Sequence, residues 1–211
     1  MTAMKLTLSL ALLSAVILSS AQGADTARTL KGVEDRYNKA QTLEVSFTQT
    51  LKERNRNITQ KGTLFLRKPQ RMLWRYSSPE GRVYVMDGKF TYDYTPGEKQ
   101  VERVPFKQTD DMRAPLAFLL GKLNFHDDFR DEVTTAADGT ITLLAKSDKY
   151  LYSEVSFQSD PDFAIRKLVV KLQDNSVIEY RFDGEKRNPT LSDELFKFTP
   201  PAGVQIVQAN R

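Results

Sequence analysis

Residues Gly62 to Tyr94 read GTLFLRKPQRMLWRYSSPEGRVYVMDGKFTYDY, seven aromatic residues spread over short runs broken by Pro69, Pro79 and Asp87-Gly88. Such runs are strands, and strand side chains alternate between two faces. Met72, Trp74 and Tyr76 therefore point one way while Arg71, Leu73 and Arg75 point the other. Phe90, Tyr92 and Tyr94 repeat the alternation beyond the turn, and Leu64 and Leu66 precede it. A face this rich in large rings is either ordinary core or the wall of an apolar cavity. The common parity places Leu64, Leu66, Met72, Trp74, Tyr76, Phe90 and Tyr92 on one such surface.

On the N-terminal side, Leu30, Val33, Tyr37 and Ala40 recur at three- and four-residue spacing after Asp25, a suitable N-cap, and predict an amphipathic helix. From Leu43 onward the pattern is mostly strand, with turns predicted at Asp87-Gly88, Pro96-Gly97, Asp138-Gly139 and Asp183-Gly184. Short connections of this kind join antiparallel neighbours. One apolar segment, from Ala114 to Lys122, interrupts the series, and its Pro115 and Gly121 suit the start and stop of a short helix. Strands resume near Thr140–Ala145, Glu154–Gln158, Ile165–Gln173 and Val177–Phe182; in the last, Ile178, Tyr180 and Phe182 alternate with Glu179 and Arg181, giving one buried and one wet face. The expected class is mainly β (α+β), a curved antiparallel sheet with helices across one face.

Lys5, the 13-residue apolar run Leu6–Leu18 and the small residues Ser19 to Ala24 have the three parts of a secretory signal peptide. A membrane-spanning helix needs roughly 20 apolar residues, so the run is short for an anchor. Cleavage after Ala21, Gly23 or Ala24 gives a mature domain of residues 25–211. Its 30 basic and 27 acidic side chains make it mildly basic, and its 187 residues suit one domain. The chain contains no cysteine, which excludes disulfides, thiolate metal sites and an acylated N-terminal cysteine.

The order G-x-L-x-L-x-x-P-x-x-x-x-W-x-x-x-x-P, then D-G-K and Y-x-Y, together with Phe47-Thr48-Gln49 and the C-terminal FKFTPPAGV from Phe196 to Val204, resembles the outer-membrane lipoprotein carrier family LolA. The resemblance runs from the first helix to the C-terminus. It implies an incomplete antiparallel β-barrel of about eleven strands with a helical lid over an apolar cavity. It further implies a soluble, monomeric periplasmic chaperone that carries lipoprotein acyl chains, loaded by the inner-membrane LolCDE transporter and emptied to the outer-membrane receptor LolB or an acceptor membrane. Leu30, Val33 and Tyr37 of the first helix, with Leu116, Phe118, Leu119 and Leu120, would form the lid. Relatives in the family hold the lid with an arginine just before the proline that ends the second strand. Lys68 occupies that position here, and Arg67 is expected to face the other side of the strand.

Enzymatic readings find little support. The chain has no G-x-S-x-G, G-x-x-x-x-G-K or G-x-G-x-x-G motif. The sole histidine, His126, stands beside Asp127 and Asp128 and reads as a solvated loop residue rather than a metal ligand. Asp110, Asp111, Asp127, Asp128, Asp131 and Glu132 supply carboxylates for a hydrolase without fixing any pair across a bond. Basic residues near Lys52, Arg54 and Arg56 are interleaved with acids such as Glu53, unlike a phosphate-binding stripe. The expectation is a carrier with no catalytic residue, metal, cofactor or nucleic-acid partner. A carrier or sensor of another amphiphile, such as a glycolipid or terpenoid, and a periplasmic hydrolase are the competing readings.

Overall fold

Alternation in the sequence becomes a single sheet of 12 strands in the computed structural model, which describes residues 7–53, 56–106 and 123–209. Helix α1 (Thr7–Lys39) leads into β1 (Thr42–Glu53), β2 (Arg56–Arg67), β3 (Arg71–Ser78), β4 (Glu80–Asp87), β5 (Phe90–Tyr94) and β6 (Gln100–Pro105). A short helix α2 (Phe125–Asp128) then precedes β7 (Phe129–Thr135), β8 (Ile141–Ala145), β9 (Tyr152–Ser159), β10 (Ile165–Leu172) and β11 (Val177–Arg187). A 3₁₀ turn at Asp193–Phe196 and strand β12 (Gln205–Gln208) end the chain's described part.

Two antiparallel meanders, β1 to β6 and β7 to β11, meet where β1 pairs with β11. The sheet is open: β7 lies at one edge and β12, paired in parallel with β6, at the other. This is the expected incomplete antiparallel architecture with one more strand than expected, the parallel β12.

Three of the four expected turns join strands, with Gly88, Gly97 and Gly139 all at positive φ. Asp183-Gly184 does not. Gly184 sits inside β11 at φ 64°, where the register against β1 slips between Glu44 and Ser46. It is a bulge, and glycine supplies the left-handed residue that a bulge of this kind requires. Helix α1 also differs from expectation. It starts at Thr7 rather than at Asp25, because the Leu- and Ala-rich stretch before Asp25 contains no proline to stop it.

The sheet buries both faces. On the inner face, which carries α1, one cluster runs from Leu66 and Met72 through Phe47, Trp74, Tyr76 and Tyr180 to Val155, Phe157 and Phe129. On the outer face a second cluster joins Phe65, Leu73, Val85, Tyr92, Tyr94 and Val101 to Phe196 of the C-terminal segment.

Candidate functional site

Each inner-face side chain is placed by register. Leu43 faces Leu66, which faces Met72 and then Met86; Val45 faces Leu64, then Trp74 and Tyr84. All are buried. Gly62 interrupts the next row for a steric reason: a Cβ there would lie 2.1 Å from the Arg75 carbonyl oxygen and 2.9 Å from the Phe47 ring. Its absence lets Phe47 stand edge-on to Trp74 at 4.6 Å and to Tyr76 at 5.3 Å. Trp74 continues to Tyr180 at 5.7 Å, and Tyr180 stacks on Phe182. The indole N–H of Trp74 donates to the Met72 Sδ at 2.9 Å, a weak acceptor in an otherwise apolar surface.

Five of the seven residues expected to share a surface, Leu64, Leu66, Met72, Trp74 and Tyr76, do share the inner face. Phe90 and Tyr92 lie on the outer face instead. The hairpin explains the correction. Met86 pairs with Thr91 and Val85 with Tyr92, so the inward parity switches from even to odd residue numbers across the turn. Thr91, buried, takes the inward place, and Tyr92 stacks on Phe198 at 5.1 Å. Conversely, the inner face extends to residues outside the aromatic stretch, among them Phe47, Phe157, Leu168, Val170, Ile178, Tyr180 and Phe182. The alternation of Ile178, Tyr180 and Phe182 carried that signal; the pairing of β1 with β11 that unites the halves did not show in the sequence.

Helix α1 lays Val33 and Tyr37 against this face, fully buried, with Leu30 partly buried beside them. Leu116, Phe118, Leu119 and Leu120 lie outside the described residues. Gly32 allows the helix close approach, since a Cβ there would lie 2.4 Å from the Phe163 ring.

The helix is tied down mainly at its C-terminal end. Lys68 Nζ donates to the backbone carbonyls of Tyr37, at 2.8 Å, and Asn38, at 3.3 Å. Those carbonyls belong to the last helical turn, where partners within the helix run out and a cation is favoured by the helix dipole. Burial holds the Lys68 ammonium below the usual lysine range. Beside it, the Asn38 carboxamide accepts from the Leu123 N–H at 2.7 Å and donates to its carbonyl at 2.8 Å, and Glu34 accepts from the Phe125 N–H at 2.8 Å. Arg36 pairs with Glu185, which is 5 % exposed. The Tyr37 hydroxyl donates to Glu185 at 2.8 Å and accepts from the Ile165 N–H at 2.9 Å. Burial, reinforced by Glu185, pushes the Tyr37 phenol far above its ordinary value.

Arg67 points to the outer face, as expected from parity, and pairs with Asp193 while donating to the Leu191 carbonyl. Arg71 reaches the same carboxylate at 2.8 Å. Adjacent residues 67 and 68 thus grip different covers on opposite sides of the sheet.

Beneath Tyr37 the packing leaves a void of only about 10 Å³, lined by Leu43, Val45, Leu64, Ile165, Phe182 and Glu185. That is room for one water molecule at most. A wider, half-polar cleft of about 360 Å³ is lined by Asp25, Thr26, Arg28 and Thr29 of the helix and by Thr135, Ile141 and Phe163, with the Thr26 and Thr135 hydroxyls hydrogen-bonded at 2.8 Å; the helix has fewer ties there than at its C-terminal end. His126 lies on the helical turn α2 rather than in a loop, exposed, with Nδ1 2.9 Å from exposed Asp131. Among the described residues no group of His, Asp and Glu is arranged to hold a metal ion, and no helix is long and apolar enough to cross a membrane.

Comparison with known proteins agrees with this architecture. The model of the family described as outer membrane lipoprotein carrier protein LolA matches residues 38–199. The chain is 30 % identical to an outer-membrane lipoprotein carrier protein of Aliivibrio salmonicida, over 96 % of this chain and 97 % of that one. It is 26 % identical to the protein of that name from Nitrosomonas europaea, over 86 % of this chain and 90 % of the other. An uncharacterized conserved protein from Thermus thermophilus shares the fold, with a TM-score of 0.52 over 88 % of this chain and 99 % of that one at 13 % identity. From its first helix to its outer-face segment, then, the chain belongs to the outer membrane lipoprotein carrier protein LolA family.

Proposed function

We propose that this protein is a periplasmic chaperone that carries lipoproteins from the inner to the outer membrane by sheltering their acyl chains on the inner face of its sheet. The observation that carries the reading is the continuity of that face: both meanders supply it, from Met72 and Trp74 to Phe157 and Phe129. Each buried methylene contributes about 0.8 kcal/mol, and acyl chains carry many, so an apolar surface suffices for binding without any chemistry. A void of 10 Å³ cannot hold even one such chain. Loading beneath Tyr37 therefore requires helix α1 to move off the sheet there.

Lys68 is the latch of that cover. It holds helix α1 through backbone carbonyls alone, a contact that can break without unpacking side chains. Residues 1–24 are a leader removed on export, leaving residues 25–211 as the working domain. Loading by LolCDE and delivery to LolB or directly to an acceptor membrane complete the cycle, with no catalytic step assigned to this chain.

The test is extraction. The mature protein, incubated with vesicles containing a fluorescent triacylated lipopeptide and then separated from them, should carry the lipopeptide into the aqueous fraction. It should release it to fresh acceptor vesicles. Native mass spectrometry of protein from its own host should show a mass increment of an acylated polypeptide. An increment matching a glycolipid or terpenoid would redirect the reading to that cargo, and failure to extract any lipopeptide would end it.

A further inference from the structure

The inner face changes character at the ends of the strands farthest from Lys68. Gln49, two residues beyond Phe47 and on the same face, sits across from Tyr180 in β11 and Gln60 in β2. On the far side of Tyr76, Arg82 lies with its guanidinium carbon 4.8 Å from the centre of that ring, while Nη2 donates to Asp93 at 3.1 Å. Two atoms at this end of the face stand out, one on β1 and one three strands away on β4, a span of about 14 Å that a head bearing several esters and an amide can bridge. Gln49 Oε1 and Arg82 Nε are both buried, and neither has a hydrogen-bond partner among the described residues. Dry polar groups are costly and native proteins keep few of them, often where a ligand completes the set.

The two atoms ask for opposite complements. Gln49 Oε1 accepts and needs an N–H; Arg82 Nε donates and needs a carbonyl or similar oxygen. Hydrocarbon offers neither. We infer that Gln49 and Arg82 form a polar subsite for the ester- and amide-bearing head of an acylated amphiphile, whose chains run from there along Tyr76, Trp74 and Met72 toward helix α1. This inference rests on the carrier reading and adds head recognition to it. A phosphate head fits less well, because Asp93 already offsets the Arg82 charge and the Gln49 oxygen would face the anion. The site also gives Phe47-Thr48-Gln49 a use that an apolar wall alone does not: Phe47 belongs to the wall and Gln49 to its polar end.

The experiment compares two probes on the mature protein: a triacylated S-glyceryl-cysteinyl peptide, and the hydrocarbon dye 1,6-diphenyl-1,3,5-hexatriene, which has neither a hydrogen-bond donor nor an acceptor. Losing one hydrogen bond weakens binding by about 3- to 10-fold. Gln49→Leu and Arg82→Met should each weaken the lipopeptide by that factor and leave the dye unchanged, and Arg82→Lys should recover part of the loss. Because Gln49→Leu removes a dry oxygen, it should raise the melting temperature of the empty protein while weakening the lipopeptide, opposite signs that a purely structural residue would not give. Should Gln49→Leu fail to fold, Gln49→Met carries the same test. Equal losses for both probes, an undiminished lipopeptide affinity, or phosphatidylglycerol displacing the lipopeptide from wild type but not from Arg82→Met would overturn the neutral-head site. Wild type that takes up the dye but no lipopeptide would overturn the carrier reading itself.

Discussion

The two faces of this sheet are built from alternate residues of the same strands, yet they are covered in different ways. Outside, the C-terminal segment lies over Phe65, Leu73, Val85 and Tyr92 with Phe196 and Phe198, held by Arg67 and Arg71 on Asp193 and continued by β12 in the sheet itself. Inside, helix α1 lays Val33 and Tyr37 on a larger apolar surface and is anchored mainly at its C-terminal end, by Lys68, Arg36, Tyr37 and Asn38, with one further hydrogen bond between Thr26 and Thr135. The outer cover is woven into the sheet by backbone pairing. The inner cover is a helix that pairs with no strand and is held through side-chain groups, so separating it from the sheet breaks no backbone ladder. A fold that must open on one side only needs this asymmetry, because a sheet bared on both faces would lose its core.

The strongest way to break the comparison is to weaken the outer cover. Phe196 is 1 % exposed, and Phe196→Ala should lower the unfolding free energy by about 3–5 kcal/mol in urea titration. Lipopeptide transfer per folded molecule should not change. A transfer rate that falls in step with stability would mean that both faces act in carriage.

Next in size is Gly32→Ala. On an isolated helix alanine would gain about 1 kcal/mol over glycine. Here the new Cβ would press into the Phe163 ring at 2.4 Å, and Phe163 already holds a positive φ of 63°. The Cβ would meet the root of the ring as well as its edge, with Cγ at 2.5 Å, so overpacking should dominate, destabilising the protein by about 1–3 kcal/mol. Hydrogen exchange should accelerate in residues 25–40 before it does in β2 and β3. Uniform acceleration would show that the helix and sheet open together.

Lys68→Leu should cost less, about 1 kcal/mol, the typical worth of a hydrogen bond to a helix end. Its functional signature should be clearer: the closed state loses its anchor while the open state gains apolar surface, so cargo is retained longer. Lys68→Arg, with a planar fork of donors, should close the protein more firmly and speed release. Transfer kinetics to acceptor vesicles would check both, and unchanged release in Lys68→Leu would move the latch to Asn38 or Arg36.

Sequence reasoning reached as far as local periodicity allows. Within one strand, parity is geometry, so Leu64, Leu66, Met72, Trp74 and Tyr76 were legible as one face. Across a hairpin parity depends on loop length, and the four residues between Met86 and Thr91 reversed it for Phe90 and Tyr92. Lys68 was singled out only by the family resemblance, which places a lid-holding residue before that proline, and its acceptors in the structure, the end carbonyls of α1, could not be read until the helix was seated. What stayed hidden was long-range: the β1–β11 junction that joins Phe47 to Phe182, and the outer-face cluster that gives FKFTPPAGV a packing role. Neither is encoded in a neighbouring residue.

The smallest expected effect tests whether the loop under helix α1 responds to acid. Asp160 accepts from the N–H groups of Asp162 and Ala164, at 3.0 and 2.9 Å, and from Arg166, whose Nε lies at 2.9 Å. Partial burial pushes its carboxyl up, but these donors outweigh it and hold the folded-state value below the ordinary one. A carboxylate depressed in the folded state stabilises the fold above its unfolded value, about 3.9 for aspartate, and that contribution fades as pH falls through the folded value. The same loop carries Phe163 onto Gly32, so protonating Asp160 should loosen the seat of the helix while the outer cover keeps its backbone pairing. Asp138, Asp174 and Glu179 are depressed in the same direction, so Asp160→Asn should remove only part of the acid sensitivity. Melting curves from pH 7 to below about 4 should therefore converge for wild type and Asp160→Asn at the acid end, where wild type has lost what the variant never had. Curves separated by the same interval at every pH would show that the Asp160 carboxylate contributes through shape and not through charge, and that acid does not reach the helix by this loop.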